Sequence, residues 1–147
     1  MQIVVPACIA LFALASLIHY EMLRGLSRWL PRLSIPDRSK LLVVIFASFV
    51  AHALEIGLYG ASIHVLIQHL DAGTLQGSGP NSLADSIYFS AETYTSLGFG
   101  DVVPVGAIRL IAGTEALNGL LLIGWSASYA YITMERFWRD PVDTTES

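Results

Sequence analysis

Ser82-Leu-Ala-Asp-Ser-Ile-Tyr-Phe-Ser-Ala-Glu-Thr-Tyr-Thr-Ser-Leu-Gly-Phe-Gly-Asp101 is the stretch on which the fold turns. Ser82 and Asp85 stand three apart, the spacing of a capping box with Asp in place of the usual Glu or Gln. The run from Leu83 to about Thr95 predicts a short, partly apolar helix. At about 13 residues it falls short of the ~20 needed to cross a bilayer, so it reads as re-entrant. Gly98 and Gly100 flank Phe99, and glycine reaches backbone conformations closed to other residues. Irregular backbone at membrane depth survives only when buried in protein or lining a water-filled cavity.

Working outward, three apolar stretches surround this segment: about Ile3 to Leu23, Leu41 to about Leu70, and about Ala107 to Phe137. The 147 residues are 54% hydrophobic and only 14% charged, well below the ~25% charged of soluble domains. These features predict an all-α membrane protein. Three transmembrane helices are expected, with the re-entrant helix and its glycine loop between the second and third. The second and third stretches exceed one bilayer thickness and call for tilt or protrusion. Residues 1–33 form a first helix and a basic segment, 34–140 the pore-type domain, and 141–147 a short tail. Ala13-Leu-Ala15 looks like a cleavage site, but no Lys or Arg precedes the first apolar run, so a retained helix is expected rather than a signal peptide. Ser34-Ile-Pro-Asp37 reads as the capped start of helix two. Pro141 reads as the stop after helix three.

Arg24, Arg28, Arg32, Arg38 and Lys40 lie between the first two spans, and Arg136 and Arg139 follow the third. Only Arg109 falls on the other side. Positive charge collects on the cytoplasmic face, so the N-terminus is expected outside and the C-terminus in the cytoplasm of a cell (inner) membrane. A net charge of −4 with 8 Lys+Arg argues against nucleic-acid binding. The single Cys8 excludes an intrachain disulfide framework and reads as a packing residue.

Thr93-Tyr-Thr-Ser-Leu-Gly-Phe-Gly-Asp101 resembles the potassium-channel signature T-x-x-T-x-G-Y-G-D. With Ser90-Ala-Glu92 before it, the stretch looks especially like the pore of the small proton-gated bacterial potassium channels. Glu115-Ala-Leu-Asn-Gly-Leu-Leu-Leu-Ile-Gly-Trp-Ser126 is similar to the inner helix of short bacterial ion channel proteins. The resemblance covers roughly Leu41 to Phe137 and leaves the first helix outside it. It implies potassium-selective passive conduction, not catalysis. One filter strand per chain implies a homotetramer in the lipid bilayer, with no cofactor beyond permeant K+. Ser96, Leu97, Gly98, Phe99 and Gly100 then form the filter, with K+ at Ser96, Leu97, Gly98 and Phe99. Ser96 replaces Thr, Leu97 replaces Val and Phe99 replaces Tyr, which removes a hydroxyl that would tether the filter. Ser with Gly-Phe-Gly also occurs in ether-a-go-go-related channels, and Gly-Phe-Gly in second pores of two-pore channels.

The resemblance also assigns support of the filter to Glu92, Asp101, Tyr88, Thr93 and Thr95. It implies that Glu92 and Asp101 share a proton, with Tyr88 as an aromatic donor to Asp101. Two carboxylates that close do not both ionise comfortably. Gly119 matches the inner-helix hinge glycine, close packing being its alternative, and Gly124 could share either role. Leu120, Ile123 and Ala127 fall toward the cavity in the same register. Glu115 and Asn118 inside the third span are expected to face protein or water, Glu115 by a hydrogen bond to the re-entrant helix or by facing the pore. His52 and Glu55 share a helix face and read as a polar link, because a metal site needs further ligands. His64 and His69 are interfacial histidines or pH sensors. Two other readings stay open: a non-selective cation channel, and a membrane haem or redox bundle with His52 and His64 as axial ligands.

Overall fold

The computed structural model describes residues 3–77 and 82–138. Its elements are α1 (Val4–Trp29), α2 (Asp37–Leu70), β1 (Gly73–Gly77), α3 (Leu83–Tyr94), β2 (Val102–Gly106) and α4 (Ile108–Trp138). A 3-10 turn over Leu30–Arg32 extends α1. Three of the helices are long and apolar enough to cross a membrane. At ~1.5 Å per residue the 34 residues of α2 reach about 51 Å, well past the ~30 Å hydrocarbon core. The chain is an all-α multi-pass membrane protein.

On α1 the buried residues are Val4, Cys8, Leu11, Ala15, His19 and Leu23, a single stripe at helical spacing. The stripe packs on α2 and α4. Ile9, Phe12 and Leu17 are exposed on the rest of the helix and present apolar side chains outward. The core joins Tyr59 and Ile63 of α2, Phe89 of α3, and Ile108, Ile111 and Leu122 of α4. The short helix α3 is thus wedged between two long ones. Gly60 permits its approach, because a Cβ there would lie 2.7 Å from the Ile87 Cα.

The capping box at Ser82 forms as its spacing predicts. The Asp85 N–H donates to the Ser82 hydroxyl at 3.1 Å, and the Ser82 N–H donates back to the Asp85 carboxylate at 3.0 Å. The Ser82 hydroxyl and backbone N–H together hold the Asp85 carboxyl below its ordinary value. The start of α2 differs from expectation. Pro36, with an extended backbone, occupies the cap position, and no side chain caps the helix. A residue before proline is driven out of the helical region, which keeps Ser34 away from the first turn. Pro141 lies outside the described residues.

The sequence reading contained no strand, yet β1 and β2 form an antiparallel ribbon running from Gly73 opposite Gly106 to Gly77 opposite Val102. Gly73–Gly77, in a stretch rich in Gly and Ser, is therefore ordered. Leu75 and Val102 turn inward from the ribbon and join the core. The ribbon clasps the two arms of the segment between α2 and α4 and fixes where α3 and its following loop sit.

Candidate functional site

Beyond Tyr94 the helix cannot continue, because Ser96, Gly98 and Gly100 adopt left-handed backbone with φ of 58°, 54° and 80°. Left-handed residues at every second position make an alternating ribbon. For Ser96, which has a Cβ, this conformation costs about 1–2 kcal/mol. Hydrogen bonds to the end of α3 hold it there. The Ser96 N–H donates to the Thr93 carbonyl at 3.0 Å. The N–H groups of Leu97 and Gly98 both donate to the Glu92 carbonyl, at 2.9 and 3.3 Å. The Phe99 N–H donates to the Glu92 carboxylate at 3.3 Å.

These four donors settle the direction of the acceptors. No peptide bond here is cis, and in a planar trans peptide the C=O points opposite to the N–H. With the N–H groups of residues 96–99 turned toward α3, the carbonyls of Thr95, Ser96, Leu97 and Gly98 point away from it. All of residues 95–100 are exposed. The result is a row of carbonyl oxygens presented on an open face, backed by a buried helix end.

Glu92, 4% exposed, accepts three of these four donors, two on its backbone oxygen and one on its side chain. The Tyr88 hydroxyl donates to Asp101 at 3.1 Å and also lies beside Glu92. Tyr88 thus stands beside both carboxyl groups, and each has a donor of its own: the Phe99 N–H for Glu92 and the Tyr88 hydroxyl for Asp101. Glu92 is buried and Asp101 is exposed. The Thr95 hydroxyl closes the α3 end on the Ala91 carbonyl at 2.7 Å, whereas Thr93 contributes through its backbone oxygen.

Behind α3 stands a layer of polar groups. Tyr94 is fully buried and its hydroxyl donates to Glu55. The Ser90 hydroxyl reaches the Ile56 carbonyl at 2.8 Å and also Glu115, which joins α3 to α4. Asn118 donates to the Tyr59 hydroxyl at 3.1 Å and accepts from Ser16 at 3.4 Å. Gly119 lies against the end of α3, where a Cβ would come within 2.1 Å of the Tyr94 carbonyl oxygen. Its position is one of close packing, the alternative to the hinge. Gly124 is on the opposite face of α4 with open space around it, beside exposed Leu120, Ile123 and Ala127.

His52 bonds Glu55 and Tyr94 through Nδ1, at 3.0 and 2.9 Å, and Ser126 through Nε2 at 3.2 Å. His19 of α1 joins the same cluster. Nothing in the sequence marked His19, Tyr94 or Ser126, since their partners are distant in the chain. The haem reading fails on geometry: His52 and His64 are about 18 Å apart along one helix, so one chain cannot offer both to a single haem. His69 is exposed, while His64 is half-buried with its Nδ1 unpartnered.

Two long apolar helices bracketing a short helix, with a row of backbone carbonyls after it, define a membrane protein of the ion-channel class. Residues 40–136 match the sequence profile of the ion channel family, and the chain belongs to that family. The chain is 26% identical over 97 residues to the inward rectifier potassium channel Kirbac3.1 of Paramagnetospirillum magnetotacticum, covering 65% of this chain and 33% of that one. It is 36% identical over 73 residues to protein LctB of Bacillus caldotenax, covering 44% and 54%. It is also 48% identical over 46 residues to protein LctB of Geobacillus stearothermophilus, covering 31% and 34%. The matches thus span between a third and about half the length of these relatives. No solved structure matches the chain at a significant level.

Proposed function

We propose that this ion channel is potassium-selective and conducts passively through a homotetrameric pore. The observation that carries this reading is the row of carbonyls of Thr95, Ser96, Leu97 and Gly98, all turned away from α3. One such row cannot enclose an ion. Four around an axis replace the hydration shell of a cation with carbonyl oxygens. The exposure of Leu97 and Phe99, 58% and 69% in the single chain, fits side chains that neighbouring subunits cover. The relative named as an inward rectifier potassium channel adds support for the ion.

In this reading Ser96, Leu97, Gly98, Phe99 and Gly100 bind K+ ions. Glu92, Asp101, Tyr88, Thr93 and Thr95 brace them from outside. Leu120, Ile123 and Ala127 line the cavity below. Gly119 and Gly124 are the candidate gating glycines, Gly119 through its packing on α3. Basic residues gathered near the C-terminal ends of α1 and α4 favour, in the same reading, an N-terminus outside and a C-terminus in the cytoplasm.

Liposome flux tests the proposal. Purified protein in vesicles should pass K+ and exclude Na+ under opposed gradients, and its native mass in mild detergent should be four chains. Equal K+ and Na+ flux would replace it with the non-selective reading. Monomers or dimers only, under several conditions, would remove the shared axis.

A further inference from the structure

His19 on α1, His52 and Glu55 on α2, and Tyr94 at the end of α3 converge on one point inside the bundle. His19 Nδ1 is 3.0 Å from Glu55 Oε1, His52 Nδ1 is 3.0 Å from Glu55 Oε2, and the Tyr94 oxygen is 2.9 Å from His52 Nδ1. One ligand atom from each of His19, His52 and Glu55 lies within 4.8 Å of the others. We propose that these three residues, with Tyr94 as fourth donor, form a site for a divalent transition metal of the zinc class.

The donor spacing fits. Ligands ~2.0–2.1 Å from one tetrahedral ion stand about 3.3 Å from each other; each imidazole Nδ1 lies 3.0 Å from its own oxygen of Glu55, and one ligand atom from each residue falls within 4.8 Å of the others. Two imidazoles, a carboxylate and a phenol oxygen are a mixed nitrogen–oxygen set, which suits zinc or cobalt and not the all-oxygen preference of magnesium or calcium.

Proton counting at Ser126 supports the same assignment. Its Oγ lies 3.2 Å from His19 Nε2 and 3.2 Å from His52 Nε2. With both imidazoles neutral and both Nδ1 atoms donating to Glu55, the two Nε2 atoms are bare acceptors. The hydroxyl has one proton, so one of its two contacts sets lone pair against lone pair. A metal at the Nδ1 side moves both protons to Nε2. Both N–H groups then donate to the two lone pairs of Ser126, an outer contact of the kind that fixes the tautomer of metal-bound histidine. Glu55 and a deprotonated Tyr94 balance the divalent charge, the phenol proton leaving to solvent. That neutrality matters where His19 and Glu55 are completely buried. The His52 side chain, 18% exposed, is the edge by which an ion reaches the site.

The site would give α1 a purpose. It lies outside the stretch that matches the family profile, and the metal would join it to the residue two places before Ser96.

The test uses the full chain in detergent, stripped with a chelator and titrated with Co2+, whose visible absorption distinguishes four-coordinate from hydrated ions. The expected result is one Co2+ per chain with the intense four-coordinate spectrum, displaced by Zn2+. Ser126→Ala should keep that spectrum and weaken binding about 10–100-fold, as for other outer-shell partners. His19→Gln and Glu55→Gln should lose it, and His64→Gln should not. A hydrated-type spectrum in the unmutated chain overturns the proposal, and so does a four-coordinate spectrum that survives His19→Gln. In either case the cluster is an imidazolium–carboxylate network in which one histidine holds the extra proton. If His19→Gln does not fold, the unmutated titration and Ser126→Ala still decide. The readout is independent of ion flux, so the channel reading stands or falls separately.

Discussion

Replacing Gly119 by Ala puts the contact between α4 and the end of α3 under direct load. A Cβ on the present backbone would lie 2.1 Å from the Tyr94 carbonyl oxygen and 2.9 Å from its carbon, against a limit near 3.0 Å for real Cβ contacts. The shortfall, 3.0 minus 2.1, means that at least about 0.9 Å must open between two helices. The nearest atoms are backbone, so no rotamer change relieves the clash. Overpacking of this kind costs about 1–3 kcal/mol. The strain falls on Tyr94, two residues from Ser96, and so moves the carbonyl row as well as loosening the fold. Gly113, on the same helix with open space around it, is the control: Gly113→Ala should be neutral or up to ~1 kcal/mol stabilising. Denaturant titration in detergent, paired with vesicle flux, reads both effects. Gly119→Ala should be destabilised by about 1–3 kcal/mol and lose selective flux. Stability within ~0.5 kcal/mol of the unmutated chain, with flux and selectivity intact, would refute the packing argument.

Other outcomes follow from the same geometry. Gly98→Ala, at a φ of 54°, should abolish selective flux while helical content by circular dichroism is unchanged. Glu92→Ala removes the acceptor of the Phe99 N–H and should cost about 1–3 kcal/mol and speed loss of conduction, while Glu92→Gln, which keeps a carbonyl acceptor, should be milder. In a double-mutant cycle of Glu92→Ala with Asp101→Ala, a double mutant that resembles either single is expected if the two carboxyl groups act as a pair, and additive effects would show that they act separately. Glu115→Gln should preserve stability because the amide still reaches Ser90, whereas Glu115→Ala should destabilise by ~1–3 kcal/mol in the same titration. Ser82→Ala should lower stability by ~0.5–2 kcal/mol through loss of the capping box.

What the sequence made legible was local. Ser82 and Asp85 signal a helix start by spacing alone, and the structure forms that cap. The three apolar stretches reveal themselves by length, and Gly98 and Gly100 mark the irregular backbone. The left-handed Ser96 was not visible, because only the hydrogen bonds from residues 96–99 to the end of α3 hold a serine there. The β1–β2 ribbon was hidden for a similar reason. Gly73–Gly77 has neither strand alternation nor high strand propensity, and its order comes from partners near Gly106. His52 and Glu55 could be paired on one helix face, but His19 lies 36 residues from Glu55 in sequence. Such contacts exist only once the helices have packed. The pairing of Glu92 with Asp101 was a matter of resemblance, whereas the bond from the Phe99 N–H to the Glu92 carboxylate exists only once the loop has folded back on α3.

The buried link between His19 and Glu55 also bears on how the chain enters a membrane. Either residue alone in hydrocarbon is costly, since ionisable groups within spans need partners or water. Each helix therefore carries a penalty that only the other relieves. Insertion one helix at a time would strand a polar group in lipid, whereas α1 and α2 leaving the translocon as a hairpin enter already matched. The seven residues from Leu30 to Pro36 that separate the two helices are short enough to keep them side by side while they do so.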